Sequence, residues 1–159
     1  MDELLKLLRT NAMETPENLA RMLNISTDEV KQRIQEYEKT GIIRAYQAIV
    51  NEDKLELDEV QAVIEVKITP EQRGGYDRIA NRISRFPEVV SLFLMSGGYD
   101  LLAFVKGRDL KETAYFVSDK LATIDGVVST STHFMLKTYK EQGVVMAPEE
   151  QHERPQVSP

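Results

Sequence analysis

The apolar positions of this chain change period once, near residue 60, and that change divides it. In "DELLKLLR" (Asp2–Arg9), Leu4, Leu5, Leu7 and Leu8 recur at helical spacing. "TPENLARML" predicts a second helix, with Thr15 as N-cap, Pro16 pre-organised for the first helical position, and Leu19, Met22 and Leu23 as its buried stripe. After the turn "NIS", Ser26 and Glu29 fit the capping box S-x-x-E. Val30, Ile34 and Tyr37 then recur at i, i+4 and i+7, and Gly41 is placed to end the helix in the left-handed conformation. Three short helices with a tight turn between the second and third predict a helix-turn-helix. The β-rich "IIRAYQAIV" (Ile42–Val50) predicts a strand after them, the wing of such a unit. The charged "NEDKLELDE" has no buried stripe and reads as a hinge.

From Val60 the period becomes two. "VQAVIEVKIT" places Val60, Ala62, Ile64, Val66 and Ile68 on one face. "YDRIANRISRF" returns to helical spacing. "VVSLFLMSG" and "DLLAFVKG" read as strands joined at Ser96–Tyr99. "DLKETAYFVSDKLATI" reads as a helix capped by Asp109, with Glu112 completing a second capping box, and "GVVSTSTHFMLKTY" as a last strand. The order βαββαβ is the split-βαβ, ferredoxin-like arrangement. The expected fold class is therefore α+β. A three-helix (winged) helix-turn-helix over 1–50 and a hinge over 51–59 precede a ferredoxin-like domain over 60–146. The proline-rich ending 147–159 is expected to be disordered.

Composition narrows the function classes. The chain has 159 residues, 42% of them apolar, which suits a globular protein rather than a disordered one. No apolar run approaches the roughly 18 residues of a membrane span, and the N-terminus shows no basic stretch followed by a long apolar one. With no cysteine there is no disulfide framework and no thiolate zinc site. A cytoplasmic location without membrane association is expected. The net charge of −6 is spread evenly: residues 1–55 carry 8 Lys/Arg against 10 Asp/Glu, and residues 56–146 carry 11 against 13. Nucleic-acid binding would therefore rest on local placement of cations and on doubling the site by oligomerisation. His133 is the only histidine before the tail, and no cluster of metal spacing accompanies it, so neither a metal, a cofactor nor a catalytic group is expected.

Four pieces, in order and on the right elements, carry a resemblance: "RI" at Arg33–Ile34, "TGIIRAYQAIV" after the third helix, "SGGYD" between the central strands, and "STSTHFMLKTYK" at the end. Over roughly Leu4 to Val145 the chain resembles the Lrp/AsnC (leucine-responsive/asparagine regulator, feast/famine) family of prokaryotic transcription factors. The resemblance implies a sequence-specific regulator of transcription that responds to an amino acid or related small metabolite. It also implies a homodimer joined through the sheet domains, assembling further into tetramers or octamers, with the effector bound where sheet domains meet. The third helix differs from many relatives in having Gln32, Gln35 and Glu36 around a single arginine.

Helix-turn-helix proteins present the N-terminal part of their second motif helix to base edges. Thr27, Lys31, Gln32, Arg33 and Gln35 are accordingly the groove candidates. Glutamine pairs bidentately with adenine, and lysine reaches guanine. Arg21, Lys39 and Arg44, and alternatively Arg33, are candidates for phosphate. Two such helices in a dimer would read a pseudo-palindromic operator in double-stranded DNA. A bland alternative remains open: a solvated helix face on a packing module, with Asp28 and Glu29 serving the helix N-terminus.

"SGGYD" is fully accounted for as a hairpin turn, with glycine supplying positive φ. Read as an effector site, Asp100 and backbone carbonyls would take an ammonium. The amides of Gly97 and Gly98, with a hydroxyl of Thr130 or Thr132, would take a carboxylate, and Ser96 and Tyr99 complete the turn. Two rival functions are a metabolite sensor that does not bind DNA, which the acidic start of the third helix favours, and an enzyme of the sirohaem-decarboxylase type. The enzyme would need histidines and arginines as carboxylate clamps, and the single His133 argues against it.

Overall fold

The computed structural model describes residues 1–55, 57, 59–70 and 75–146. It divides into two compact units, Met1–Ile49 and Val50–Pro159. The ending expected to be disordered lies outside the described residues.

The first unit is built from three capped helices. α1 spans Glu3–Thr10, and its N-cap Asp2 accepts the Leu4 N–H at 2.9 Å. α2 spans Pro16–Leu23, where Thr15 Oγ1 accepts the Asn18 N–H at 3.2 Å, and the helix stops at Asn24, left-handed at φ +53°. α3 spans Thr27–Lys39, and Ser26 Oγ accepts the Glu29 N–H at 3.1 Å. Gly41 follows at φ +74°, its N–H reaching the Glu38 carbonyl at 3.1 Å. Each cap satisfies a donor or acceptor that a helix end leaves open. Leu4, Leu8, Leu19, Ala20 and Val30 form the core, with Leu7, Leu23, Ile25, Ile34, Tyr37 and Ile43 packed against it.

Three local expectations are corrected here. Met22 is 61% exposed, because the buried stripe of α2 runs through Leu19, Ala20 and Leu23 and leaves Met22 off its edge. Glu29 supplies its N–H to the capping box, but its carboxylate binds Arg33 one turn onward. The wing over Ile42–Val50 is not formed. Arg44–Val50 has no regular structure, and Ile42, Tyr46, Ile49 and Val50 are exposed. A strand exists only where another backbone takes up its hydrogen bonds, and every ladder among the described residues joins strands of the second unit. Tyr46 instead donates its hydroxyl hydrogen bond to Glu38 Oε1 at 2.9 Å.

In the second unit the chain first makes a 3₁₀ turn, Glu52–Lys54. Glu52 accepts from Lys106 Nζ at 2.6 Å and from Gln61 Nε2, while Asn51 Nδ2 donates to the Met146 carbonyl at 2.9 Å. The start of the charged stretch is thus fastened to the sheet. The elements that follow are β1 (Val60–Ile68), α4 (Asp77–Ile83), β2 (Val89–Leu94), β3 (Leu101–Gly107), α5 (Leu110–Tyr115, continuing as a π-helical turn Phe116–Leu121) and β4 (Val127–Phe134). A small hairpin of β5 (Lys140–Glu141) and β6 (Val144–Val145), which the sequence pattern does not announce, ends the described chain. The sheet order is β2-β3-β1-β4, with every neighbouring pair antiparallel, as the βαββαβ order requires.

The alternation in β1 sets the core. Ala62, Ile64, Val66 and Ile68 are buried beside Leu101, Ala103 and Val105 of β3, under Ile79 and Ile83 of α4 and Phe116, Leu121 and Ile124 after α5. Each fully buried large aliphatic side chain contributes about 1.5–3 kcal/mol of transfer free energy. Gly126, at φ +93°, lets the last strand begin close under α4, since a Cβ there would meet Ile79 Cδ1 at 2.5 Å. The second capping box is shifted by one residue. Asp109 Oδ1 accepts the Glu112 N–H at 2.7 Å, but the Glu112 carboxylate returns to the N–H of Arg108, at 2.6 Å, rather than to that of Asp109.

Candidate nucleic-acid interface and effector turn

In the first unit, α3 is held from behind by Val30, Ile34 and Tyr37, which turns Asp28, Gln32, Gln35, Glu36 and Lys39 outward. Lys31 is exposed on one flank and Thr27 is half-buried beside it. Among the described residues, neither Lys31 nor Lys39 is drawn into an ion pair. Arg21 is exposed on α2 and hydrogen-bonds Asn18, and Arg44 is exposed beyond the α3 C-cap. Six of the groove and phosphate candidates, Lys31, Gln32, Gln35, Lys39, Arg21 and Arg44, are therefore exposed.

Arg33 does not. Its guanidinium binds Glu29 Oε1 and lies 3.7 Å from Asp2 Oδ2. Asp2 is itself a junction: burial pushes its carboxyl up, but hydrogen bonds from Tyr37 and from the Leu4 and Leu5 amides, with the charge of Arg33, outweigh this and leave it below its ordinary value. The Tyr37 hydroxyl is pushed up by burial and by the same hydrogen bond to Asp2. The i, i+4 spacing of Glu29 and Arg33 was open to reading in the sequence; the arrival of Asp2 from another helix was not.

In the second unit, Ser96–Tyr99 join β2 to β3, with Gly97 at φ +146° and Gly98 outside the positive range, so one glycine rather than two supplies the turn. Ser96, Gly97 and Gly98 are exposed, and Tyr99 and Asp100 are half-buried. Asp100 is built into the sheet: its N–H donates to the Val66 carbonyl at 3.1 Å, and its Oδ2 accepts the Ile68 N–H at 2.8 Å. That contact falls where β1 shifts register against β4, between Lys67 and Ile68. The carboxylate thus closes a backbone donor at an irregular step of the ladder.

Thr130 and Thr132 lie elsewhere. Their partners in register are Val66 and Ile64, whose side chains are wholly buried on the helix-covered face, and directly opposed residues share a face. Within one chain β1 stands between these threonines and the Ser96–Asp100 turn, so the structure joins the turn residues to one another and leaves the threonines apart.

The uncovered face of the sheet is not among the sites expected from the sequence. It carries Val63 and Glu65 of β1, Phe93 of β2, Leu102 and Phe104 of β3, and Ser131 and His133 of β4. Phe93 is 51% exposed and meets Phe104 edge-on at 6.0 Å between ring centroids. His133 Nε2 lies 3.4 Å from Glu65 Oε1 and 3.4 Å from Ser131 Oγ. The available signal was the unbroken apolar run "LLAFV", which marks a strand needing cover on both faces.

The chain is similar to known proteins over nearly its whole length. The family model of the Lrp/AsnC ligand binding domain matches residues 61–145. The HTH-type transcriptional regulator YugG of Bacillus subtilis is 44% identical over 99% of this chain and 95% of its own length. The proline dehydrogenase transcriptional activator of Rhodobacter capsulatus is 27% identical over 85% of this chain and 87% of its own. Among solved structures, the transcriptional regulator NMB0573 of Neisseria meningitidis, in complex with L-Met, superposes with a TM-score of 0.68 at 28% identity, covering 89% of this chain and 93% of that one. The chain belongs to the Lrp/AsnC family of transcriptional regulators.

Proposed function

We propose that the protein regulates transcription by binding double-stranded DNA through α3, under the control of a free amino acid sensed at the sheet unit. The observation that carries this is the outward face of α3. It presents amides at Gln32 and Gln35 and cations at Lys31 and Lys39 on a helix capped at both ends and anchored by Val30. Amide side chains can pair bidentately with adenine in the major groove, and lysines reach phosphate or guanine. The unit's charge balance gives little non-specific attraction, so recognition rests on these contacts.

The uncovered sheet face, with Phe93, Leu102, Phe104 and Val63, takes a second copy of the chain, which removes that apolar surface from water. A pair presents two α3 helices and fits a pseudo-palindromic operator. The effector sits at Ser96–Asp100. There Asp100 keeps one carboxylate oxygen beyond the Ile68 N–H for an ammonium, and the exposed Gly97–Gly98 amides face a carboxylate. Thr130 or Thr132 would join that site only from another subunit. Binding at such a shared site links ligand occupancy to assembly and hence to DNA occupancy.

Selection of genomic fragments with the purified protein, with and without a mixture of amino acids, tests binding and effector together. Enrichment of related fragments that changes with the mixture is expected. A protein that pairs but selects no fragment at low salt would be a sensor acting on a protein partner.

A further inference from the structure

We infer that Arg33, the single arginine of α3, is a positioning residue that fixes the recognition helix against α1 and makes no contact with DNA. The inference rests on the DNA-binding reading above.

Arg33 and Glu29 are one turn apart on the flank of α3 that faces α1, whereas Gln32, Gln35 and Lys39 point away from the core. The guanidinium is spoken for twice, by Glu29 within α3 and by Asp2 at the head of α1. Asp2 ties the same point to the α1 backbone by accepting the Leu4 N–H at 2.9 Å. One carboxylate therefore joins the first turn of α1 to the middle of α3.

A phosphate would have to compete for Arg33 with its hydrogen bond to Glu29 and its ion pair with Asp2, two carboxylates that leave the local charge around this arginine net negative. Cations without carboxylate partners, Lys31 and Lys39, are available at no such cost. Because α3 is the reading element, a small rotation of it moves Gln32 and Gln35 together, and base contacts depend on placement within a fraction of an ångström. Loss of the Arg33 junction should then weaken binding without removing a phosphate contact.

The salt dependence of binding separates the two roles, since each phosphate contact adds about 0.9 to the slope of log K against log salt. Binding to the selected fragment is measured over a salt series, well below the melting temperature, for the full-length wild type, K31Q, R33Q, D2N and the D2N/R33Q double variant. Circular dichroism and thermal melting are followed in parallel. The expected result is that K31Q, which removes one phosphate contact from each subunit of the pair, lowers the slope by about two. R33Q and D2N keep the wild-type slope but lose roughly tenfold in affinity at every salt concentration, while fully folded at the assay temperature. The double variant loses clearly less than the two single losses combined, as residues that share one contact do.

A slope reduced by about two in R33Q, with D2N unaffected, would make Arg33 a phosphate contact and overturn the inference while leaving the DNA-binding reading standing. Wild-type affinity in both R33Q and D2N would reduce the junction to packing and also overturn it. A wild type that binds no fragment at any salt would sink the DNA-binding reading, and this inference with it.

Discussion

The helical unit and the sheet unit bury their chains by different means. The first closes over a short list of side chains, Leu4, Leu8, Leu19, Ala20 and Val30, and depends on caps and one polar junction at each helix end. The second encloses a continuous aliphatic layer between four strands and the helices above them. In the sheet unit a polar contact adds to a core that already holds. In the helical unit a cap is a large share of what holds, because helices of 8 to 13 residues are marginal by themselves. The unit proposed to meet DNA through one helix is thus the one whose geometry is fixed by a few side-chain atoms.

The contrast is tested hardest in the core. Ile64→Ala, in the central strand, should cost about 3 kcal/mol, the middle of the range for cavity-forming truncations, in chemical denaturation of the second unit. A loss below about 1 kcal/mol would mean that the aliphatic layer collapses to fill the gap. Next is Asp100. Asp100→Ala leaves the Ile68 N–H without its acceptor and should cost about 1–3 kcal/mol, whereas Asp100→Asn keeps an acceptor and should cost less than about 1 kcal/mol. The asparagine variant should nevertheless fail to respond to the effector, because an amide oxygen holds an ammonium less well than a carboxylate does. An asparagine variant with a normal dose-response would leave Asp100 as a backbone cap alone.

In the helical unit, Ser26→Ala should cost about 1 kcal/mol and weaken DNA binding in proportion as α3 frays. The smallest effect expected is on pH. The Asp2 carboxyl is held below its ordinary value, so its contribution is present above about pH 4 and fades as pH falls through the folded value. The Tyr37 hydroxyl is raised, so its contribution is present below pH 10.0 and fades as pH rises through its folded value. Amide exchange of α1, corrected for intrinsic rates, should be steady between these limits and quicken beyond both. Unchanged protection at pH 3 would show that the Asp2 junction does not hold α1.

Much of this was readable in the chain. The caps Thr15, Ser26 and Asp109 stand where the sequence places them, since capping needs one side chain and a neighbouring backbone. The alternation of β1 was equally plain, because one buried face imposes period two. What stayed hidden depends on partners remote in sequence. The Ile42–Val50 stretch has strand composition but no ladder partner in its own unit. The faces of Thr130 and Thr132 follow from a register that passes a shift at Lys67/Ile68. The occupation of Arg33 requires Asp2, thirty-one positions away.

The turn from Phe116 to Leu121 carries a consequence of another kind. There the helix after β3 is wound with i→i+5 hydrogen bonds, and the Ala122 N–H reaches the Val117 carbonyl at 2.8 Å. This wider winding brings Phe116, Leu121 and Ile124 over the same strip of sheet, although the first two are five positions apart. It holds one residue more than an α-turn would need. Deleting a single residue between Val117 and Lys120 would let the coil tighten and still deliver Leu121 to its place, whereas the same deletion in α4 would swing Ile83 out of its socket. A folded, fully cooperative deletion variant in thermal melting is the expected outcome there, and an unfolded one would show that the wider turn is needed in full.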